Sequence, residues 1–255
     1  MARRIVDAHA HIGRTVTSDV GQDVATWSAT MASVGIDRSI LSVAAGGMQA
    51  GGLADTQRSN DVIAAAVASW RDIFPIGLGS VEVRHGAAAW AEVERVFDIG
   101  LSGLAFHATF EGFTVGSPAF HSVLDAVGQR RALVLVHSTP DAKASPAAIS
   151  AVAERFPHLE FVLGHPVFTE GQRIEAVAAL EARSNLSLDI AYQDDPATTE
   201  FFVREIGADR VLFGSDAPFF DPARVIASVE AADIGEADRE AIFSGNAERL
   251  IAAVR

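Results

Sequence analysis

The chain contains no cysteine. That excludes a disulfide-stapled scaffold, a thiolate metal site and a cysteine nucleophile. Positive charge is also short: 20 Lys and Arg stand against 33 Asp and Glu, a formal net charge of −13. A nucleic-acid duplex or a membrane surface is polyanionic and needs a basic footprint to hold it, so neither is expected as a partner. No apolar run approaches the roughly 20 residues that span a bilayer. Residues 1–6 lead straight into a strand-like segment without the apolar stretch of a signal peptide. A cytoplasmic location is the expectation. Linker-like Pro/Gly/Ser segments and low-complexity tracts are absent too, so residues 1–255 are read as one domain.

What the sequence does have is apolar content, 49% of 255 residues, enough to bury a large core. Eight β-rich runs recur, at residues 5–11, 39–44, 74–81, 101–108, 133–138, 160–166, 186–191 and 210–216. Most are continuous Val/Ile/Leu/Phe runs, as expected of parallel strands buried on both faces. Helical stretches fall between them, among them 61–70, 87–97, 118–129, 147–156, 174–182 and 222–232. Eight βα units in about 250 residues predict an α/β fold, a single closed (β/α)₈ barrel. The competing open doubly wound sheet usually carries G-x-G-x-x-G after its first strand, and here that strand ends in two histidines. Residues 46–52 and 109–117 read as long βα loops at the barrel mouth, the glycine-dense 46–52 as a candidate flap.

The placement of the histidines is the main functional signal. His9 and His11 close the first run, His107 the fourth, His137 the fifth and His165 the sixth, while the eighth ends in Gly214-Ser215-Asp216. In a parallel barrel all C-terminal strand ends meet on one face, so these distant residues are expected to converge. Strand periodicity puts His9 and His11 on the inner face, with Asp7 deeper on that face and Val6, Ala8 and Ala10 turned toward the helices. Imidazole with carboxylate suits zinc and similar divalent ions, so His9, His11, His137 and Asp216 form an N₃O candidate site. His85, His121 and His158 read as surface residues.

The motif Val6-Asp7-Ala8-His9-Ala10-His11-Ile12-Gly13 resembles the first strand of the amidohydrolase superfamily. Leu163-Gly164-His165-Pro166, Leu212-Phe213-Gly214-Ser215-Asp216-Ala217-Pro218 and the tail Ile242-Phe243-Ser244-Gly245-Asn246-Ala247-Glu248-Arg249-Leu250 are similar to its amidohydrolase-related branch. That branch holds aminocarboxymuconate-semialdehyde decarboxylase, aromatic-acid decarboxylases and dicarboxylate lactonases. The resemblance implies a barrel with one divalent ion held by His9, His11, His137 and Asp216, with His165 acting beside it on water or substrate. Zinc is the first expectation, with manganese, cobalt and iron as alternatives. A bridging lysine at the end of strand four is replaced by Ala105, which argues against a lysine-bridged metal pair. A homodimer is also implied.

A divalent ion with an open position lowers the pKa of bound water from about 15.7 toward roughly 7. Asp216 and His165 are then the expected catalytic pair, Asp216 moving a proton and His165 steadying developing charge. The first reading is hydrolysis of an amide, lactone or other ester of a small organic substrate. The alternative is non-oxidative decarboxylation of a small aromatic or unsaturated acid, which calls for a cation near the substrate carboxylate; Arg14 and Arg84 are the candidates. A TatD-like nuclease and a barrel that binds without catalysis are weaker readings, set against an acidic surface and a complete ligand set. His107 is placed at the pocket or in the core, and Asp7 is read as orienting an imidazole or as structural. Phe110, Phe113, Phe168, Phe219 and Phe220 are candidates for an apolar wall around the substrate.

Overall fold

A computed structural model describes residues 3–15, 20–44 and 52–255. Eight parallel strands run in chain order: β1 (Val6–Arg14), β2 (Arg38–Val43), β3 (Leu78–Gly79), β4 (Gly103–Phe106), β5 (Leu133–His137), β6 (Glu160–Gly164), β7 (Leu186–Asp189) and β8 (Val211–Leu212). A two-residue antiparallel strand, Gly21–Gln22, pairs with the end of β1. β1 pairs with β2, and β3 through β8 pair in sequence order. Two isolated bridges join these sheets, Leu41 to Gly77 and Ala10 to Ala217. At the second seam Ala8 N donates to Phe213 O at 3.0 Å, His11 N to Ala217 O at 2.8 Å and Asp216 N to His9 O at 2.8 Å. These bonds close β8 onto β1, giving the (β/α)₈ barrel that the eight runs predicted.

Helices form the outer ring: α1 (Val24–Val34), α2 (Leu53–Ser69), α3 (Ala87–Asp98), α4 (Ala108–Glu111), α5 (Pro118–Asp125), α6 (Pro146–Arg155), α7 (Glu170–Ala182), α8 (Pro196–Ile206) and α9 (Pro222–Ala231). Four of them begin with Ser or Asp at the N-cap and proline just inside, which satisfies an orphan N–H and presets the helical φ. α2 starts eight residues before the expected 61, because its polar first turns lack the apolar pattern that marked the rest. The expected loop 109–117 holds part of α4, and residues 46–51 of the candidate flap lie outside the described residues. A larger apolar cluster lies between the strands and the helices, and a second fills the barrel's interior. That interior is closed from below by Ala247, Leu250, Ile251 and Val254, on or just beyond α11 (Asn246–Ala253), which follows α10 (Glu236–Glu240).

Strand β1 departs from strict alternation. Its register on β2 advances from Asp7–Ser39 to Ala10–Leu41, three residues against two, which is a β-bulge. Val6 and Ala8 therefore pack in the interior with Ile40, Leu78, Leu135 and Leu212, while Ile5, Ala10 and Ile12 face the helices. The sequence reading placed Val6 and Ala8 outside and Asp7 inside. An extra residue reverses parity below it, and only the upper half of the strand, with His9 and His11, keeps the expected phase.

Candidate metal centre and pocket

His9 and His11 point into the barrel above the bulge, and His137 is the last residue of β5. His165 and Asp216 lie on the turns that follow β6 and β8. Room for the His9 ring comes from two glycines. A Cβ at Gly214 would lie 2.8 Å from His9 Cβ, and one at Gly164 would lie 3.1 Å from His9 Cε1. Any side chain there would displace the imidazole.

Each of the three imidazoles is held by its Nδ1. Asp189 Oδ2 accepts from His9 Nδ1 at 2.8 Å, and Phe106 O accepts from His137 Nδ1 at 2.9 Å. Ser42 Oγ lies 2.7 Å from His11 Nδ1; its proton goes to Ala10 O, so it accepts from the ring. These partners place the proton on Nδ1 and leave Nε2 as a lone pair in every case. The three Nε2 atoms then stand 3.0–3.1 Å apart. Asp216 Oδ1 sits 2.9 Å from His11 Nε2 and 3.3 Å from His9 Nε2. Lone pairs at that separation repel unless a cation lies among them, and the N₃O set fits a divalent ion.

Burial disfavours the alternative, a proton shared within the cluster. It lowers the His11 and His137 pKa values to about 4 and holds His9 and His165 well below the ordinary imidazole range, with neighbouring imidazoles adding to the effect at His9, His137 and His165. Desolvation also raises the Asp216 carboxyl to about 7. A looser grouping of His9, His137, His165 and Asp216 keeps one donor atom of each within 4.8 Å. His11 belongs to the tighter set, since its Nε2 is about 3 Å from three of the other donors. His165 stacks on His9 at 5.5 Å and 14°, and its buried Nδ1 has no partner.

Two residues act on the backbone and one was missed. Asp7 accepts from His9 N and Ser215 N through Oδ1 and from Ser215 Oγ through Oδ2, so it ties β1 to the end of β8 rather than orienting a ring. Glu111 Oε1 accepts from His107 N, and burial raises its carboxyl to about 8. Asp189, which orients His9 and also accepts from His165 N, escaped the sequence reading. Its signal was there: a lone carboxylate in the apolar run 186–191, in phase with the inward face.

Over the cluster lies a cavity of about 310 Å³ whose lining includes Thr15, Phe110, Phe168, Tyr192 and Phe219 along with His107, His165 and Asp216. His107 faces this pocket, its ring stacked on Phe110 at 3.9 Å and burial lowering its pKa to about 2. Phe219 packs against His11. The other expected pocket residues are not brought into this lining. Arg84 pairs with both oxygens of buried Glu82, at 2.6 and 2.9 Å, and Arg14 is exposed at the end of β1. Phe220 packs behind Tyr192, and Phe113 belongs to the core with Phe106 and Phe120. His85 and His121 are half-buried and His158 is exposed, all away from the cluster. Among the described non-glycine residues, left-handed φ occurs at His165 (37°), Tyr192 (58°) and Asp216 (61°). Each costs roughly 1–3 kcal/mol, a strain that concentrates where side chains must be aimed.

A family model described as Amidohydrolase matches residues 6–252. No curated protein sequence matches the chain. Among solved structures, 5-carboxyvanillate decarboxylase from Sphingomonas paucimobilis is similar at 21% identity and a TM-score of 0.78, covering 98% of this chain and 99% of its own. 2,6-Dihydroxybenzoate decarboxylase from Rhizobium gives 21% identity and a TM-score of 0.79 over the same shares. Dihydroxybenzoic acid decarboxylase from Polaromonas sp. JS666, with bound manganese and the inhibitor 2-nitroresorcinol, gives 18% and 0.79, covering 99% of this chain and 98% of its own. At these identities the likeness establishes the barrel fold end to end.

Proposed function

The chain belongs to the amidohydrolase family, and from that premise we propose that it is a metal-dependent non-oxidative decarboxylase of a small aromatic carboxylic acid. The observation that carries the reading is the pairing of an N₃O donor cluster with a small pocket walled by Phe110, Phe168, Tyr192 and Phe219. Such walls suit a flat ring. The aromatic-acid decarboxylases that share the fold over its full length support the same choice. Hydrolysis of an amide, lactone or ester, the first reading of the sequence, ranks second.

His9, His11, His137 and Asp216 would hold the ion, and a divalent ion there supplies positive charge that binds and polarises the oxygen substituents of the substrate. The imidazole-rich set suits zinc, while the Polaromonas structure holds manganese, so both are tested below. Decarboxylation replaces a ring C–CO₂⁻ bond with C–H. The ring carbon takes a proton, the electron pair of the breaking C–C bond stays with the ring, and carbon dioxide leaves. Asp216 is the donor: its Oδ1 lies 2.9 Å from His11 Nε2 in the donor cluster, and its carboxyl lines the pocket that receives the ring. Water returns a proton to Asp216 after release. His165 places an unpartnered Nδ1 beside the cluster, where it can bond a substrate oxygen. The aromatic walls exclude water from the ring carbon.

The test is incubation of zinc- and manganese-loaded protein with a panel of hydroxylated benzoates, reading carbon dioxide and the decarboxylated product. Carbon dioxide release that is lost on chelation is expected. Turnover of lactones or amides with no release from any acid would reverse the order of the two readings.

A further inference from the structure

We infer that Tyr192 selects the substrate, and that the acid this pocket takes has a single carboxylate and an uncharged hydrogen-bond acceptor on the ring edge opposite it. The inference rests on the decarboxylase reading. Floor and rim of the pocket differ sharply in exposure. His11, His137 and Asp216 are 1%, 4% and 4% exposed, whereas Phe110, Phe168 and Tyr192 are 50%, 46% and 40% exposed. A flat acid whose carboxylate reaches the floor of a cavity of about 310 Å³ leaves its far edge among those three rim rings.

Tyr192 alone of the three carries a polar side-chain atom, and no hydroxyl hydrogen bond ties it to the described residues. Its contacts are ring contacts, with His165 at 6.0 Å, Phe168 at 5.6 Å and Phe220 at 5.3 Å. Its backbone is left-handed, as at His165 and Asp216, two other strand-end residues that line the same pocket. The turn is anchored just beyond it, where Gln193 Nε2 donates to Ser228 Oγ at 3.1 Å and Asp195 N donates to Gln193 Oε1 at 2.7 Å. A ring held this way presents its hydroxyl at the rim in a fixed position.

The restriction to one carboxylate comes from charge. No Lys or Arg lines the pocket among the described residues, and segments 16–19 and 45–51 contain neither residue type. The Arg84 guanidinium is bound to Glu82. A second carboxylate at the rim would meet aromatic faces, which carry negative π density, and a chain of net charge −13, with no counter-charge to replace its hydration. A neutral oxygen loses little water there and gains the phenol hydrogen bond.

The experiment measures binding by calorimetry on metal-loaded protein, with 2-hydroxybenzoate, 2-hydroxy-4-methoxybenzoate and 2-hydroxybenzene-1,4-dicarboxylate as probes, and follows carbon dioxide in parallel. The native chain should bind the methoxy acid about threefold to tenfold more tightly than 2-hydroxybenzoate. Tyr192→Phe, which keeps the ring, should lose that preference and bind the methoxy acid and 2-hydroxybenzoate equally. The dicarboxylate should bind about tenfold more weakly than the methoxy acid in both proteins. A preference that survives in Tyr192→Phe, or tightest binding of the dicarboxylate, overturns the inference. The expected binding pattern without carbon dioxide leaves Tyr192 in its role and overturns the decarboxylase reading, and no binding of any of the three overturns both.

Discussion

The two ends of the barrel are built from the same strands and have opposite chemistry. Along β5 the successive inward residues are Leu133, Leu135 and then His137; along β8 and its turn they are Leu212, Gly214 and Asp216. The lower half is a dry aliphatic plug sealed by α11. The upper half gathers imidazoles and carboxylates whose charged forms burial opposes. One end therefore supplies the free energy of folding, while the other stores electrostatic cost and backbone strain that binding of a cation and substrate can relieve.

Substitutions at the two ends should separate these roles. Asp216→Asn should lower kcat/KM for carbon dioxide release about 10²- to 10⁴-fold, measured by steady-state kinetics, with no loss of thermal stability in the metal-free protein, because it removes a costly buried carboxyl. Leu135→Ala should do the reverse, losing roughly 2–5 kcal/mol in denaturant titration while the folded fraction keeps its kcat/KM.

Glu111→Gln sharpens the contrast within the upper half. Its oxygen still accepts from His107 N, but the carboxyl, raised from 4.5 to about 8, is gone. The unfolded chain ionises Glu111 near 4.5, while the native chain keeps it neutral until about 8, so native stability falls as pH rises between those values. The variant should match the native chain below pH 4.5 and exceed it by a few kcal/mol above pH 8, read as denaturation midpoints across pH. The smallest effect is expected from Asp189→Asn, whose one oxygen stays with His165 N and Ala191 N and whose NH₂ then faces His9 Nδ1 and cannot accept from it. Metal affinity should drop about 10- to 100-fold by chelator competition, with the circular dichroism spectrum unchanged.

Much of this was legible from the chain alone because burial on both faces writes long apolar runs, and eight of them with room for a helix between each pair leave few topologies. The positions of His9, His11, His137, His165 and Asp216 at run ends were legible for the same reason. Asp189 was passed over because one carboxylate in an apolar run resembles a strand terminus. Arg84 looked like a carboxylate anchor because nothing in the sequence shows that Glu82, two residues before it, takes its Nε and Nη2. The bulge in β1 was invisible because strand periodicity, applied without a partner strand, has no means of counting an inserted residue.

Taken alone, the order of residues determined the barrel and the set of side chains at its mouth, since both follow from which segments must hide from water and where those segments stop. Tertiary structure decided which nitrogen of each ring faces the centre. That choice belongs to acceptors far away in the chain, Asp189 for His9 across 180 positions and Phe106 O for His137 across 31, and it exists only once the strands have come into register. Closure of β8 onto β1 sets that register, so the lone pairs that can hold a cation are a property of the completed ring.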